Sequence, residues 1–438
     1  MNEIRTKAHP LSIALAGLGT VGVGVIELLE ANREMVEARA GRPLRVVAAS
    51  ARDLGRDRGV DLSALALESD MAALADRHDV DVVVEAVGGA QGPALELARK
   101  TLAAGKGLVT ANKAMIAHHG LELAQLAAAN SASLAFEAAV AGGIPVVKAL
   151  REGAAANAIE RIYGILNGTS NYILSTMETT GADFADVLAE AQAKGYAEAD
   201  PAFDVDGIDA AHKLAILAAI GFGARIDFPA VATTGIREVR AADIAQARAL
   251  GFVIRLVGVA DCAAGQLLQR VRPCLVPTSH PLAHVTGATN AVVAEGNFVG
   301  RLLLQGAGAG AGPTASAIVA DLIDIARGTV PPPFSLPAQD LAAMAPADPG
   351  DRQGRDYIRF TVTDRPGVLA EITAAMRDAG VSIESLIQHG RANENGSEVL
   401  VAMVTHEGLE RSVSKALELL GGSESLTAAP LVLPILRD

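Results

Sequence analysis

Residues 11–30 read LSIALAGLGTVGVGVIELLE, an apolar run closed by Gly17-Leu18-Gly19-Thr20-Val21-Gly22 and continued by helix-forming residues. A G-x-G-x-x-G between a strand and a helix is the arrangement that cradles the pyrophosphate of a dinucleotide. Gly17 permits the tight turn, Gly19 lets the backbone approach the phosphates, and Gly22 lets the helix pack against the strand with its N-terminal amides facing the anion. Working outward, short apolar runs alternate with Ala/Leu-rich stretches to about Val140: LRVVAAS, VDVVVEAVGG, GLVTANK and SLAFEAAV. That alternation predicts β-α-β units feeding a parallel sheet buried on both faces, with crossover helices over 22–40 and 93–104.

The second strand ends in Ala48-Ala49-Ser50-Ala51-Arg52-Asp53. A carboxylate at its tip would hold the ribose hydroxyl of NAD, whereas Arg52 can form a bidentate pair with the 2′-phosphate of NADP. NADP is the favoured cofactor, and Asp53 keeps NAD open. Lys113, in Thr110-Ala111-Asn112-Lys113, follows the GLVT strand and so falls at the carboxyl edge of the sheet, where ligands bind in open α/β folds.

Composition excludes several classes. With 37 basic and 50 acidic side chains the formal charge is −13, which repels phosphate backbones instead of releasing their counterions. With no Trp, 4 Tyr and 9 Phe, a base-stacking platform is poorly supplied, and nucleic acid is not an expected partner. Cys262 and Cys274 are too few and too far apart for a disulfide framework or a C-x-x-C pair. Arg5 and Lys7 before the uncharged stretch Leu11–Ile26 imitate a secretory signal, but Gly17, Gly19, Gly22 and Gly24 interrupt it. Leu302–Ala320 carries Gly306, Gly308, Gly310, Gly312 and Pro313 and would not hold a membrane helix. No membrane span and a reduced, cytoplasmic setting are expected.

Three composition regimes predict an α/β chain of four parts. A dinucleotide-binding domain over 1–142 is completed by a helix near 313–328. An α+β substrate and dimerisation domain over 143–330 carries strand-like IERIYGIL, RALGFVIRLVGVA and GQLLQRVRPCLV. A linker over 331–354, rich in proline and charge, resists both helix and sheet. A separate module over 355–438 reads β-α-β-β-α with a final strand in LVLPILRD, a ferredoxin-like order.

The densest chemistry is Gly195-Tyr196-Ala197-Glu198-Ala199-Asp200-Pro201-Ala202-Phe203-Asp204-Val205-Asp206-Gly207-Ile208-Asp209-Ala210-Ala211-His212-Lys213, five carboxylates ahead of one lysine. A helix starting near Asp206 would project Asp206, Asp209 and Lys213 from one face and let Asp209 and Lys213 touch. A calcium loop fails, because its obligatory glycine would fall on Asp209. The serious competing reading is an exposed i, i+4 ion pair, worth a few tenths of a kcal/mol.

Ala191 and Gly195, followed by Asp200-Pro201, Asp204, Gly207, Asp209 and Lys213, resemble the signature of the homoserine dehydrogenases. The resemblance spans the chain: the glycine turn, Thr110-Ala111-Asn112-Lys113, Asn167-Gly168-Thr169-Ser170-Asn171-Tyr172 and the glycines of 306–316 occur in the family's order. Asp364-Arg365-Pro366-Gly367-Val368-Leu369 resembles the turn of an ACT regulatory domain. The resemblance implies a Rossmann-type domain and interconversion of L-aspartate 4-semialdehyde and L-homoserine with NAD(P), in threonine, methionine and isoleucine synthesis. It implies Lys213, Asp209 and Lys113 as catalytic residues; it leaves open which of the two lysines transfers the proton, and Lys213 is the expected one.

It further implies substrate contacts from Glu198, Asp204, Asn167, Gly168, Thr169 and Tyr196. Cofactor contacts would come from Gly17 to Gly22, Arg52, Thr110, Lys113 and Gly306. Phe136–Pro145 resembles the family's monovalent-cation loop, with Na⁺ or K⁺ on Glu137 and the carbonyls of Val140, Gly142 and Ile144. Threonine as effector at the ACT-like module, and a homodimer or homotetramer, complete the expectation. The alternatives are another Rossmann amino-acid or semialdehyde dehydrogenase, or a non-catalytic NADP and amino-acid sensor.

Overall fold

The structure, a computed structural model, describes residues 9–389 and 398–437; Arg5, Lys7, Gly390 and Ser397 lie outside them. The N-terminal part runs β1 (Leu11–Ala16), α1 (Thr20–Ala31), α2 (Arg33–Ala40), β2 (Leu44–Ser50), β3 (Ala66–Glu68), α3 (Ala73–Asp76) and β4 (Val82–Glu85). It continues through α4 (Pro93–Ala103), β5 (Gly107–Thr110), α5 (Lys113–Ala129) and β6 (Leu134–Ala135). The six strands form one sheet in the order β3-β2-β1-β4-β5-β6, parallel throughout. Chain order reverses between β1 and β4, so the carboxyl end of β1 opens on a crevice suited to a dinucleotide.

Local details depart from expectation. The stretch 22–40 is two helices meeting at Asn32. SLAFEAAV contributes only Leu134–Ala135 to the sheet, and Glu137–Ala139 turns into a 3₁₀ segment because the Glu137 amide is drawn to Asp321 Oδ2 at 2.9 Å.

The central part contains α6 (Val146–Lys148), β7 (Ile159–Ile165), α7 (Gly168–Thr180), α8 (Phe184–Ala193), α9 (Ala202–Val205), α10 (Ile208–Phe222), β8 (Ala232–Thr233) and α11 (Ala241–Ala249). After these come β9 (Phe252–Ala263), β10 (Gln266–Pro277), β11 (Thr289–Gly296), β12 (Gly300–Ala307) and α12 (Ala311–Arg327). Its sheet, β12-β11-β7-β9-β10 with β8 beside β10, is antiparallel from β12 to β10. Every residue of α10 from Asp209 to Ile220 is buried, so this helix is sandwiched between the central sheet and α5 instead of presenting a wet face. α12 returns to the first part, where Ala315, Ile318 and Leu322 share a core with Ile13, Val25 and Leu29.

The remaining elements are β13 (Ala345–Pro346), β14 (Gln353–Gly354), β15 (Asp356–Thr363), α13 (Val368–Asp378), β16 (Ile383–His389), β17 (Glu398–Thr405), β18 (Gly408–Leu409), α14 (Glu410–Leu420) and β19 (Leu431–Pro434). The sheet β16-β17-β15-β19 is antiparallel and packs its own apolar cluster of Ile358, Phe360, Ile372, Met376 and Val401. The stretch 331–354 does not stay clear of regular structure: Phe334 is buried on Phe136, ring centroids 5.3 Å apart, and β13 pairs with β10. The last module is also joined to the central part. Asp243 on α11 meets Arg359 at 3.0 Å and the Tyr357 hydroxyl at 3.1 Å, and Glu410 meets Arg270 and Arg272 at 2.7 and 3.1 Å.

Candidate active site

The glycine turn has the shape its residues require. Gly17 adopts φ 104°. A side chain at Gly22 would place its Cβ 2.0 Å from the Gly17 carbonyl oxygen, so helix and turn approach that closely only with glycine there. Nothing lies within 4 Å of a Cβ built on Gly19, and α1 begins there with no side-chain cap and no acidic residue in its first turn. Its amides and dipole are thus left for an anion, which fits a dinucleotide pyrophosphate. Arg52 is exposed. The cation lying over the turn is Arg58, which sequence reasoning passed over: its Nε donates to the Leu18 carbonyl at 3.0 Å and its Nη2 to the Asp53 carbonyl.

Thr110 sits beneath the cleft, its hydroxyl donating to Glu85 Oε2 at 2.6 Å and accepting from the Asn112 amide at 2.9 Å. Asn112 in turn caps α5 by accepting from the Met115 amide at 3.0 Å. Lys113 opens α5 and so reaches across to α10, its Nζ 2.9 Å from Asp209 Oδ1. Lys213, one turn beyond Asp209 on α10, donates to Asp209 Oδ2 at 2.7 Å and to the Leu166 carbonyl at 2.8 Å. Asn167 Nδ2 donates to Asp209 Oδ2 at 2.8 Å and to Asp204 Oδ1 at 2.7 Å. Asp209 and Lys213 are 3% and 7% exposed, which excludes the solvated ion pair as an account of them.

Electrostatics follow from this burial. Burial alone would raise the Asp209 carboxyl, but the charges of Lys213 and Lys113 and the hydrogen bonds from Lys213 and Asn167 hold it well below the usual carboxylate range. Burial, followed by repulsion from Lys113, lowers the Lys213 ammonium despite Asp209. Burial raises the Asp204 carboxyl. The result is an ammonium that holds its proton less tightly than an exposed lysine, with a carboxylate fixed against it.

These groups line a cleft of about 1050 Å³ together with Val21, Gly168, Thr169, Tyr196, Asn290 and the loop Gly306–Gly310. Thr169 donates to the Tyr196 carbonyl at 2.9 Å. Two sequence expectations do not converge here. Asp206 precedes α10 and pairs with Arg237, because Gly207 at φ 83° turns the chain before the helix begins. Glu198 is exposed and outside the lining. Asn290, on β11, was legible in sequence only as a polar residue in an apolar strand.

Glu137 is buried behind the cleft, its carboxylate accepting from the Val147 and Lys148 amides at 2.9 Å each. Burial and the neighbouring Asp321 push it up to about 7. Ala141 and Gly142, at φ 55° and 49°, turn the chain sharply after it. A buried carboxylate is an oxygen donor of the kind a hard monovalent cation takes.

The model of the homoserine dehydrogenase NAD binding domain matches residues 17–137, that of homoserine dehydrogenase matches 145–323, and that of the ACT domain matches 357–421. The homoserine dehydrogenase of Pseudomonas aeruginosa is 44% identical over 424 residues, covering 95% of this chain and 97% of its own. The chain belongs to the homoserine dehydrogenase family. That of Neisseria gonorrhoeae is 45% identical over 417 residues, covering 93% and 94%. The crystal structure of a homoserine dehydrogenase from Thiobacillus denitrificans superposes with a TM-score of 0.92 at 42% identity over 98% of this chain and 99% of that one.

A hyperthermophilic archaeal homoserine dehydrogenase in complex with NADPH gives 0.61 at 29% identity, over 72% of this chain and 97% of that one. Homoserine dehydrogenases are oxidoreductases that interconvert L-aspartate 4-semialdehyde and L-homoserine in threonine, methionine and isoleucine biosynthesis, and this is the reaction of the chain. The last module is an ACT domain, the type that binds amino-acid effectors. Among the described residues no helix is long and apolar enough to cross a membrane.

Proposed function

We propose that Lys213 exchanges the proton of this homoserine dehydrogenase reaction, accepting it from the homoserine hydroxyl in oxidation and returning it to the alkoxide in reduction. The observation that carries the reading is the triad of buried Lys213 and Asp209 with half-buried Lys113, one carboxylate gripping two ammonium groups at the cleft wall. A nicotinamide cofactor, held by the turn from Gly17 to Gly22, would supply the hydride acceptor in oxidation and the hydride donor in reduction. Asp209 fixes both lysines. Lys113, on its opposite oxygen, keeps a positive charge beside the developing alkoxide, where low polarity strengthens the attraction.

Asn167, Gly168, Thr169 and Tyr196 shape the substrate pocket, and Asp204 takes the substrate ammonium. Glu198 is assigned there only through the family resemblance. The turn from Gly17 to Gly22 holds the pyrophosphate, with Thr110 ordering the loop beside it and Gly306 bordering the nicotinamide. Arg52, with Arg58 beside it, favours NADP over NAD. Na⁺ or K⁺ is held by Glu137 and the carbonyls of Val140, Gly142 and Ile144 in a structural role. Threonine is the proposed effector of the ACT domain, at the turn formed by Thr363–Val368. A homodimer or homotetramer is supported by the β11–β12 hairpin, where Phe298 is 90% exposed beside Val299 and Leu303. We retain the division at 1–142, 143–330, 331–354 and 355–438 and a cytoplasmic setting.

The test compares Lys213→Ala and Lys113→Ala in initial-rate assays with homoserine and either NADP or NAD. Lys213→Ala should lose ~10²-fold or more in turnover, the size of a missing general acid, while cofactor binding survives. Turnover near the unmodified value would remove Lys213 from the mechanism. Adding threonine, with and without residues beyond 350, tests the effector.

A further inference from the structure

The Leu166 carbonyl that receives the Lys213 ammonium has a second donor. Asn290 Nδ2 donates to the same oxygen at 2.8 Å, matching the 2.8 Å bond from Lys213. Asn290 is 1% exposed and stands on β11 opposite Gly306 of β12. Its side chain also fills the space over Gly308, where an added Cβ would come within 2.3 Å of Asn290 Cγ. One buried amide therefore touches both the loop that borders the cleft and the carbonyl that accepts the lysine's hydrogen bond. Its Oδ1 has no hydrogen-bond partner, so the side chain is held in place by that donation and by packing.

We propose that Asn290 is a positioning residue for this reaction, holding the Leu166 carbonyl so that Lys213 binds its proton less tightly and in register with the Gly306–Gly310 loop. The inference rests on Lys213 being the proton-exchanging group. Two donors on one carbonyl oxygen share its lone pairs, so each bond is weaker than it would be alone. Removing the amide leaves the carbonyl to Lys213 alone and tightens its hold on the proton. The charged and titratable groups around Lys213 are Asp209 and His212 on α10, Lys113 on α5 and Asp204 on α9. All are unchanged by substitution at 290.

The experiment is the pH dependence of kcat/KM and kcat for homoserine oxidation in the full chain, using Asn290→Ala and the nearly isosteric Asn290→Asp. The acid limb, where the lysine must lose its proton, should move upward by at least half a pH unit in Asn290→Ala. It should move further in Asn290→Asp, which adds a negative charge. KM for homoserine should change less than threefold at the pH optimum. If both variants keep the acid limb of the unmodified protein while Lys213→Ala is inactive, the role of Asn290 is overturned and that of Lys213 stands. If Lys213→Ala stays active with the same limb, the reading of Lys213 fails, and this inference fails with it.

Discussion

Asp209 in the cleft and Asp243 at the junction with the ACT domain are both buried carboxylates gripped by cations, yet they do different work. Asp209 meets two lysines, Lys213 and Lys113, and borders an open cleft. Asp243 meets Arg359, the Tyr357 hydroxyl and the Arg240 amide, is 0% exposed, and is raised by burial. Arginine holds its proton at any working pH, whereas a desolvated lysine can release one. A buried ion pair by itself is therefore no mark of catalysis. The cation's chemistry and its access to a cavity make the difference.

Four experiments would break or sharpen that contrast. Asp243→Ala should have the largest effect, leaving Arg359 without its carboxylate and costing roughly 3–5 kcal/mol of stability in urea unfolding. Turnover per folded molecule should be unchanged, and a large loss would make the junction part of the catalytic machinery. Next, Lys213→Arg gives the cleft the junction's chemistry. It keeps the charge for Asp209 but should lower turnover by ~10²-fold, about 2.7 kcal/mol of barrier, with NADP binding intact.

The third concerns His212, beside Lys213 on α10. Burial, followed by His118, pulls the His212 imidazole down from the ordinary histidine value of 6.5 to about 4. A histidine lowered on folding contributes stability that is present above about pH 6.5 and lost as pH falls through about 4. The chain should therefore lose about 1–3 kcal/mol across that window, and His212→Phe should flatten the slope. An equal slope in both proteins would mean that His212 is not the source.

The smallest effect belongs to Glu137, a third buried carboxylate, whose oxygens accept from the Val147 and Lys148 backbone amides instead of from a lysine ammonium. Replacing Na⁺ and K⁺ by choline at constant ionic strength should lower the melting midpoint by about 1–3 °C, as expected for loss of a weakly bound ligand. An unchanged midpoint would argue against a cation there.

The glycine turn was readable because Gly17 and Gly22 answer local demands, a positive φ and a close approach, that any strand–turn–helix imposes. Asp209 and Lys213 were readable together because i, i+4 spacing on one helix makes them neighbours before any tertiary contact forms. Asp206 was misjudged because a left-handed glycine ended one turn and began another, and Arg58 and Asn290 were missed because their partners lie 40 and 124 residues away.

Sequence alone thus determined the parallel α/β domain, the phosphate-binding turn, the helical carboxylate–lysine pair and the ferredoxin-like final module. Each depends on periodicity or spacing over a few residues. Only the tertiary structure decided that Lys113 joins Asp209 from another helix, that the Leu166 carbonyl is shared by Lys213 and Asn290, and that the 331–354 stretch and the last module are bound to the central sheet. Those pairings are made by packing distant segments into one desolvated interior, where a charge must find its partner in space, whatever its place along the chain.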